Sequence, residues 1–289
     1  MIDDLARLAD DVLHLLKQGR EPDAPALTLL VRCYRATERA DVREALEPAL
    51  GAVLEQPLSS LPVVARAGYL TMLAEAQAVA EDERIRGAMD VLLASLSASW
   101  GAEARVEESA VGLDACLVAA VVLDARDIIS HAIDELERVI GGAYKPGEGL
   151  LAELGAAGAR GRLGDHVRGA SALLTAYRVT SRLPYAMLAE ELMQFARRSL
   201  WDDAAGAFGS TAGRRDHPFA LNCGAESVYC RLASLHAADD YREAAVLAPD
   251  ADYRADATRV LTALSARLPG GGFECAEYGL ALDDWLGGS

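Results

Sequence analysis

A chain of 289 residues, 52% of them hydrophobic and with a mean hydropathy of +0.10, holds enough apolar surface to offset the entropy of ordering a compact fold, which excludes global disorder. Forty-four acidic against 28 basic residues give a net charge of −16, a field that repels phosphate backbones and anionic lipid surfaces, so neither nucleic acid nor a membrane is an expected partner. No run reaches the ~20 apolar residues that span a bilayer, and Asp3, Asp4, Asp10 and Asp11 stand where a leader would be basic, so the chain reads as soluble and cytoplasmic.

Apolar residues recur at i, i+3, i+4 and i+7 in segment after segment, while β-branched runs with two-residue alternation are nearly absent. The spacing predicts an all-α chain with helices over residues 2–18, 25–39, 41–55, 61–80, 82–98, 107–124, 126–140, 164–181, 184–199, 220–237, 252–267 and 275–286. Asp41 is placed to cap the third helix, Asp124 and Asp127 bracket a tight turn, and Pro184 suits the first turn of its helix. Helices joined by so few residues pack as antiparallel hairpins. The glycine-rich segment 141–164 and the segment 201–218 are the two long irregular connections, and sites on rigid helical scaffolds tend to sit on such loops.

A weak repeat underlies this order. A helix rich in small apolar residues is followed by a charged turn and then by a more amphipathic helix, in 28–54, 64–96, 113–140 and 167–200, with a fifth copy from Leu221 to Leu268. A helix that is apolar all round suits an inner ring, and one that is apolar on a single face suits an outer ring. About six such hairpins predict a closed α/α toroid spanning residues 1–289 as a single domain, since an open solenoid would show a tighter period of ~34 residues.

Three segments add a resemblance: Gly164-Asp165-His166-Val167 at a helix start, Leu200 to Phe208 as a loop with Trp201-Asp202-Asp203, and Leu221 to Ser227 at a second helix start. With Asp239-Asp240-Tyr241-Arg242 they resemble the helical-toroid portion of the thioredoxin-domain-containing proteins related to spermatogenesis-associated protein 20, within the six-hairpin glycosidase-like superfamily. The resemblance covers residues 163–286 and implies an (α/α)6 fold related to that of sugar epimerases and glycoside hydrolases. The family's thioredoxin-like domain and its CxxC have no counterpart here, and its Asn-Ser pair is replaced by Ala225-Glu226-Ser227, so no redox role carries over.

Sugar chemistry needs two ionisable groups facing one another across a pocket. The candidates at inner-helix starts are Asp165, His166, Glu226 and Glu274 as catalytic groups, with Glu277 close to the last, although an acidic residue at a helix start also serves as a cap. Trp201 and Phe208 could stack on a sugar ring, with Asp216, His217 and Asn222 as polar ligand contacts; packing at the toroid's end is the competing role for the two aromatics. Five scattered cysteines lack zinc-site spacing, and the Asp-Asp pairs, Asp283-Asp284 among them, form no DDxxD pattern, so no metal or cofactor is expected. The sequence therefore predicts a toroid whose central acidic pocket takes a small polar ligand, a carbohydrate for example. The alternative is a non-catalytic scaffold that binds a protein, such as a separate thioredoxin-like partner.

Overall fold

Charged turns between small-residue helices and amphipathic ones set the architecture, and the backbone repeats the same device at each. The computed structural model describes residues 2–155, 158–244, 247–248, 250–270 and 272–287. Its helices are α1 (Ile2–Lys17), α2 (Ala24–Thr37), α3 (Ala40–Leu54), α4 (Val63–Ala80), α5 (Glu83–Ser97), α6 (Val106–Val122), α7 (Arg126–Ala143), α8 (Leu163–Thr180), α9 (Leu183–Ser199), α10 (Phe219–His236), α11 (Asp239–Ala244), α12 (Tyr253–Ser265) and α13 (Cys275–Gly287). After α2, α4, α6 and α8 one non-glycine residue turns left-handed: Glu38, Glu81, Asp124 and Ser181, with φ of 52°, 47°, 53° and 57°. At Glu38, Glu81 and Ser181 the amide returns to the carbonyl four residues back and closes the helix end.

Six helices, α2, α4, α6, α8, α10 and α13, pack in that cyclic order, and α13 returns to α2 to close the ring. Each is followed or preceded by an outer helix of opposite direction, so the six inner helices run the same way. Helices α3, α5, α7, α9 and α12 form the outer layer, and α1 completes it by packing on α13. The burial pattern explains the sorting: α6 buries Leu113, Ala115, Cys116, Leu117, Ala119 and Ala120 around its circumference, whereas α7 buries one stripe, Ile133, Leu136, Val139 and Ile140. Each fully buried leucine contributes about 2 kcal/mol.

The predicted fold and the twelve predicted helices are present, with three local differences. Asp41 does not cap α3; the helix starts one residue earlier with Arg39 at its cap position, and Asp41 instead takes the Arg39 guanidinium at 2.8 Å. A further helix, α11, turns the chain between α10 and α12, anchored by the buried Tyr241. The two long connections carry short antiparallel hairpins, β1 (Tyr144–Lys145) with β2 (Gly149–Leu150) and β3 (Trp201–Asp202) with β4 (Ala207–Phe208). No described helix is long and apolar enough to cross a membrane.

Candidate functional site

The lumen of the ring receives side chains from the facing sides of the inner helices α2, α4, α6, α8 and α13. Thr28 and Arg32 of α2, Gly68 and Glu75 of α4, Val111 and Asp114 of α6, Arg168 of α8 and Glu277 of α13 line a cleft of about 590 Å³. Small residues open it: Gly68 lies so close to α2 that an added Cβ would sit 3.4 Å from that of Ala24. Its volume falls within the ~300–1,000 Å³ of small-molecule sites.

The floor is a charge network. Arg32 forks onto Glu75 through Nε and Nη2, at 3.0 and 2.9 Å, and its Nη1 reaches Asp284 at 2.7 Å and Asp283 at 3.3 Å. Burial works against the Arg32 charge, but the hydrogen bonds and negative charge of Glu75 and Asp284 outweigh it, so its pKa rises. Beside it Ser171 donates to Asp114 at 2.6 Å, and the half-buried Arg231 donates to the Ser171 carbonyl and hydroxyl and to Thr175.

The mouth lies at the N-terminal end of the inner helices. Asp23 caps α2 by accepting from the Ala26 amide at 3.0 Å. Burial, with the negative charge of Glu274 in addition, raises its pKa. Glu277 is raised by burial, with Asp23 adding to the effect and Arg168 opposing it. Among the described residues neither Glu277 nor Arg168 makes a hydrogen bond or an ion pair within 4.0 Å, so both face the cleft with their polar atoms available. Tyr69 supplies an aromatic wall.

Of the residues singled out in the sequence Glu277 lines this cleft; the other nine do not. Asp165, in the first turn of α8, accepts from the Glu107 amide of α6; burial and the Glu107 charge raise its pKa to about 7, and its Oδ2 has no partner among the described residues. His166 is pinned on both nitrogens, Nδ1 to the Arg162 carbonyl at 2.7 Å and Nε2 accepting from the Leu150 amide at 3.1 Å. It stacks on Phe195 at 4.7 Å, and burial lowers its pKa to about 4, which makes it a neutral clamp between β2 and α8. Glu226 is fully buried, accepts from the Cys230 thiol at 2.9 Å, and is raised to about 8 by burial. Glu274 is exposed before α13, where its charge reaches Asp23.

The remaining five organise the β3–β4 connection. Asn222 accepts from the Phe208 amide at 2.7 Å and donates to the Phe208 and Pro218 carbonyls, fixing β4 on α10. Phe208 is buried with Trp201 edge-on at 4.9 Å. The other side of the Trp201 ring carries the Arg197 guanidinium at 4.3 Å, which leaves little of it for a sugar, although its edge borders a second, open groove with Thr258 and Thr262. Asp216 takes the Ser210 amide and hydroxyl, and these hydrogen bonds hold its pKa below the usual value. His217, with a left-handed φ of 38°, meets Asp202 at 3.2 Å. Among the described residues no group of three or more His, Cys, Asp and Glu is arranged to hold a metal ion.

Asp23, Arg32, Asp114 and Arg168 carry no motif in the sequence that sets them apart from ordinary helix charges and caps. The signal that marks two of them is a charge set among apolar residues of an inner helix, Arg32 on α2 and Asp114 on α6.

No family model matches the chain, and no curated protein does either. Solved structures do. An unsaturated glucuronyl hydrolase specific for heparin has a TM-score of 0.74 at 11% identity, over 98% of this chain and 96% of the other. The unsaturated glucuronyl hydrolase of Bacillus sp. GL1, responsible for degradation of glycosaminoglycan, has 0.68 at 13% identity over 92% and 83%. A family 76 α-1,6-mannanase from Salegentibacter has 0.64 at 10% identity over 97% and 98%. At identities this low the likeness shows the fold alone: the chain shares the α/α-toroid architecture of these carbohydrate-processing enzymes.

Proposed function

We propose that the chain binds a small hydroxyl-rich molecule, a carbohydrate, in the cleft at the N-terminal end of its inner ring. The observation that carries this reading is the pair Glu277 and Arg168, an acceptor and a donor that line the cleft and make no hydrogen bond or ion pair within 4.0 Å among the described residues. Unpaired charges in a concave site cost stability unless a ligand uses them. If the ligand is turned over, Glu277 is the group suited to deliver a proton, because burial raises its pKa above the usual carboxylate value. Asp114, on α6 across the ring from α13, is the carboxylate suited to accept one. Asp165, with its orphan oxygen and a pKa raised to about 7, is a second acid candidate, buried in the first turn of α8 against α6.

The narrower kinship with the relatives of spermatogenesis-associated protein 20 belongs to the same proposal. Its support is that the three motif segments open α8, form the β3–β4 hairpin and open α10. We also propose that the chain folds as one domain, because the ring closes only where α1 and α2, near the start, meet α13.

The test is a thermal-shift panel of neutral, acidic and amino sugars against the wild type, Glu277→Gln, Arg168→Met and Asp165→Asn, since a ligand raises stability by RT ln(1 + [L]/Kd). The proposal expects a shift that the two cleft variants abolish. A shift abolished by Asp165→Asn alone would move the site to the α6–α8 contact, and a flat panel would remove the reading.

A further inference from the structure

The charge lining the cleft limits the kind of sugar it can hold. Four carboxylates, Asp23, Glu75, Asp114 and Glu277, line it together with two guanidiniums, Arg32 and Arg168. The two cations are not equivalent. Arg32 is consumed by Glu75 and, behind the lining, by Asp283 and Asp284, so its charge is more than cancelled where it stands. Arg168 alone is left to meet an anionic ligand, and it works against Glu277, Asp23 and the nearby Glu274. The rest of the molecule reinforces that balance with a net charge of −16.

Building on the reading of this cleft as the binding site, we infer that it selects a positively charged sugar, an amino sugar with a free amine, over neutral and acidic ones. The ammonium group sits between Glu277 and Asp23, whose negative charges repel one another in the unliganded cleft, and the ring hydroxyls take the Arg168 donors and the aromatic wall of Tyr69. Burial raises the pKa of both groups, with the charge of Glu274 adding to it at Asp23 and that of Asp23 adding to it at Glu277, and an ammonium group offsets the charge contribution. A uronic acid would gain one guanidinium and face three carboxylates at the mouth.

The experiment is calorimetric titration of the full chain with D-glucosamine, N-acetyl-D-glucosamine and D-glucuronate at neutral pH and low salt, repeated on Glu277→Gln and on Asp23→Asn, which keeps a side chain able to cap α2. The inference expects glucosamine to bind ~10-fold or more tightly than the other two, and each variant to lower that preference by weakening glucosamine more than it weakens the N-acetyl sugar. Equal or tighter binding of glucuronate overturns the charge inference and leaves the cleft reading standing. Glucosamine binding that neither variant changes assigns it to the acidic outer surface and overturns the inference, and no binding by any of the three overturns both readings.

Discussion

Arg32→Leu is the perturbation whose consequence the structure defines best. The substitution keeps an apolar stem and removes a guanidinium that holds Glu75, Asp283 and Asp284 together at 2.7–3.3 Å, with the arginine side chain only 21% exposed. Breaking a buried ion pair from one side costs about 3–5 kcal/mol, because the surviving charges stay in place without their partner. For a chain of this size that is a fall in Tm of about 6–10 °C, at roughly 2 °C per kcal/mol. The loss depends on pH with a definite sign. Without Arg32 the three carboxylates repel one another and their folded-state pKa values rise, so the folded variant binds protons that the unfolded chain does not, and its stability recovers as pH falls from 8 towards 5. Urea unfolding followed by far-ultraviolet circular dichroism at pH 8 and pH 5, wild type beside variant, reads both effects. A deficit below ~1 kcal/mol at pH 8, or one of the same size at both pH values, would refute the account of the cleft floor.

Three further outcomes follow from the buried groups. His166 has its pKa lowered to about 4, so the stability it contributes is complete above the unfolded value near 6.5 and is lost as pH falls through 4; between pH 7 and pH 4 the wild type should lose about 3 kcal/mol more than His166→Gln, and parallel stability curves would contradict the clamp. Glu226, raised to about 8, carries the opposite sign: its penalty is absent below about pH 4.5 and grows as pH rises through 8, so Glu226→Gln should remove a loss of about 4 kcal/mol between pH 5 and pH 9 in a comparison of Tm against pH. Gly149→Ala should cost about 2–4 kcal/mol in denaturant titration, because Gly149 has a φ of +72° and the new Cβ would press on His166 Nε2 and lie 2.8 Å from Phe195.

The toroid was legible because its physical cause is local. Hydrophobic period separates inner from outer helices within each segment, as the all-round burial of α6 and the single stripe of α7 show. The cap of α3 was not legible, because Arg39 next to Asp41 offers that carboxylate an ion pair that competes with capping. The cleft was legible only in part. Glu277 stood among the candidates, but Asp23 and Glu277 are separated by almost the whole chain, and only ring closure between α2 and α13 brings them to one mouth. Acidic residues at helix starts drew attention to Asp165 and Glu226, which proved to be buried between helices, where desolvation perturbs a carboxyl group as strongly as it would in a cleft. The pair Asp283-Asp284, set aside in the sequence for want of a metal-binding pattern, forms the underside of the lumen through Arg32.

The most direct test of the cleft is a crystal structure of the chain soaked with the sugar that gives the largest thermal shift. The account predicts ligand density at the N-terminal mouth of the inner ring, within hydrogen-bonding distance of Glu277 and Arg168. Density in the groove beside Trp201 or against Asp165, with the cleft empty at a concentration that saturates binding in solution, would contradict it.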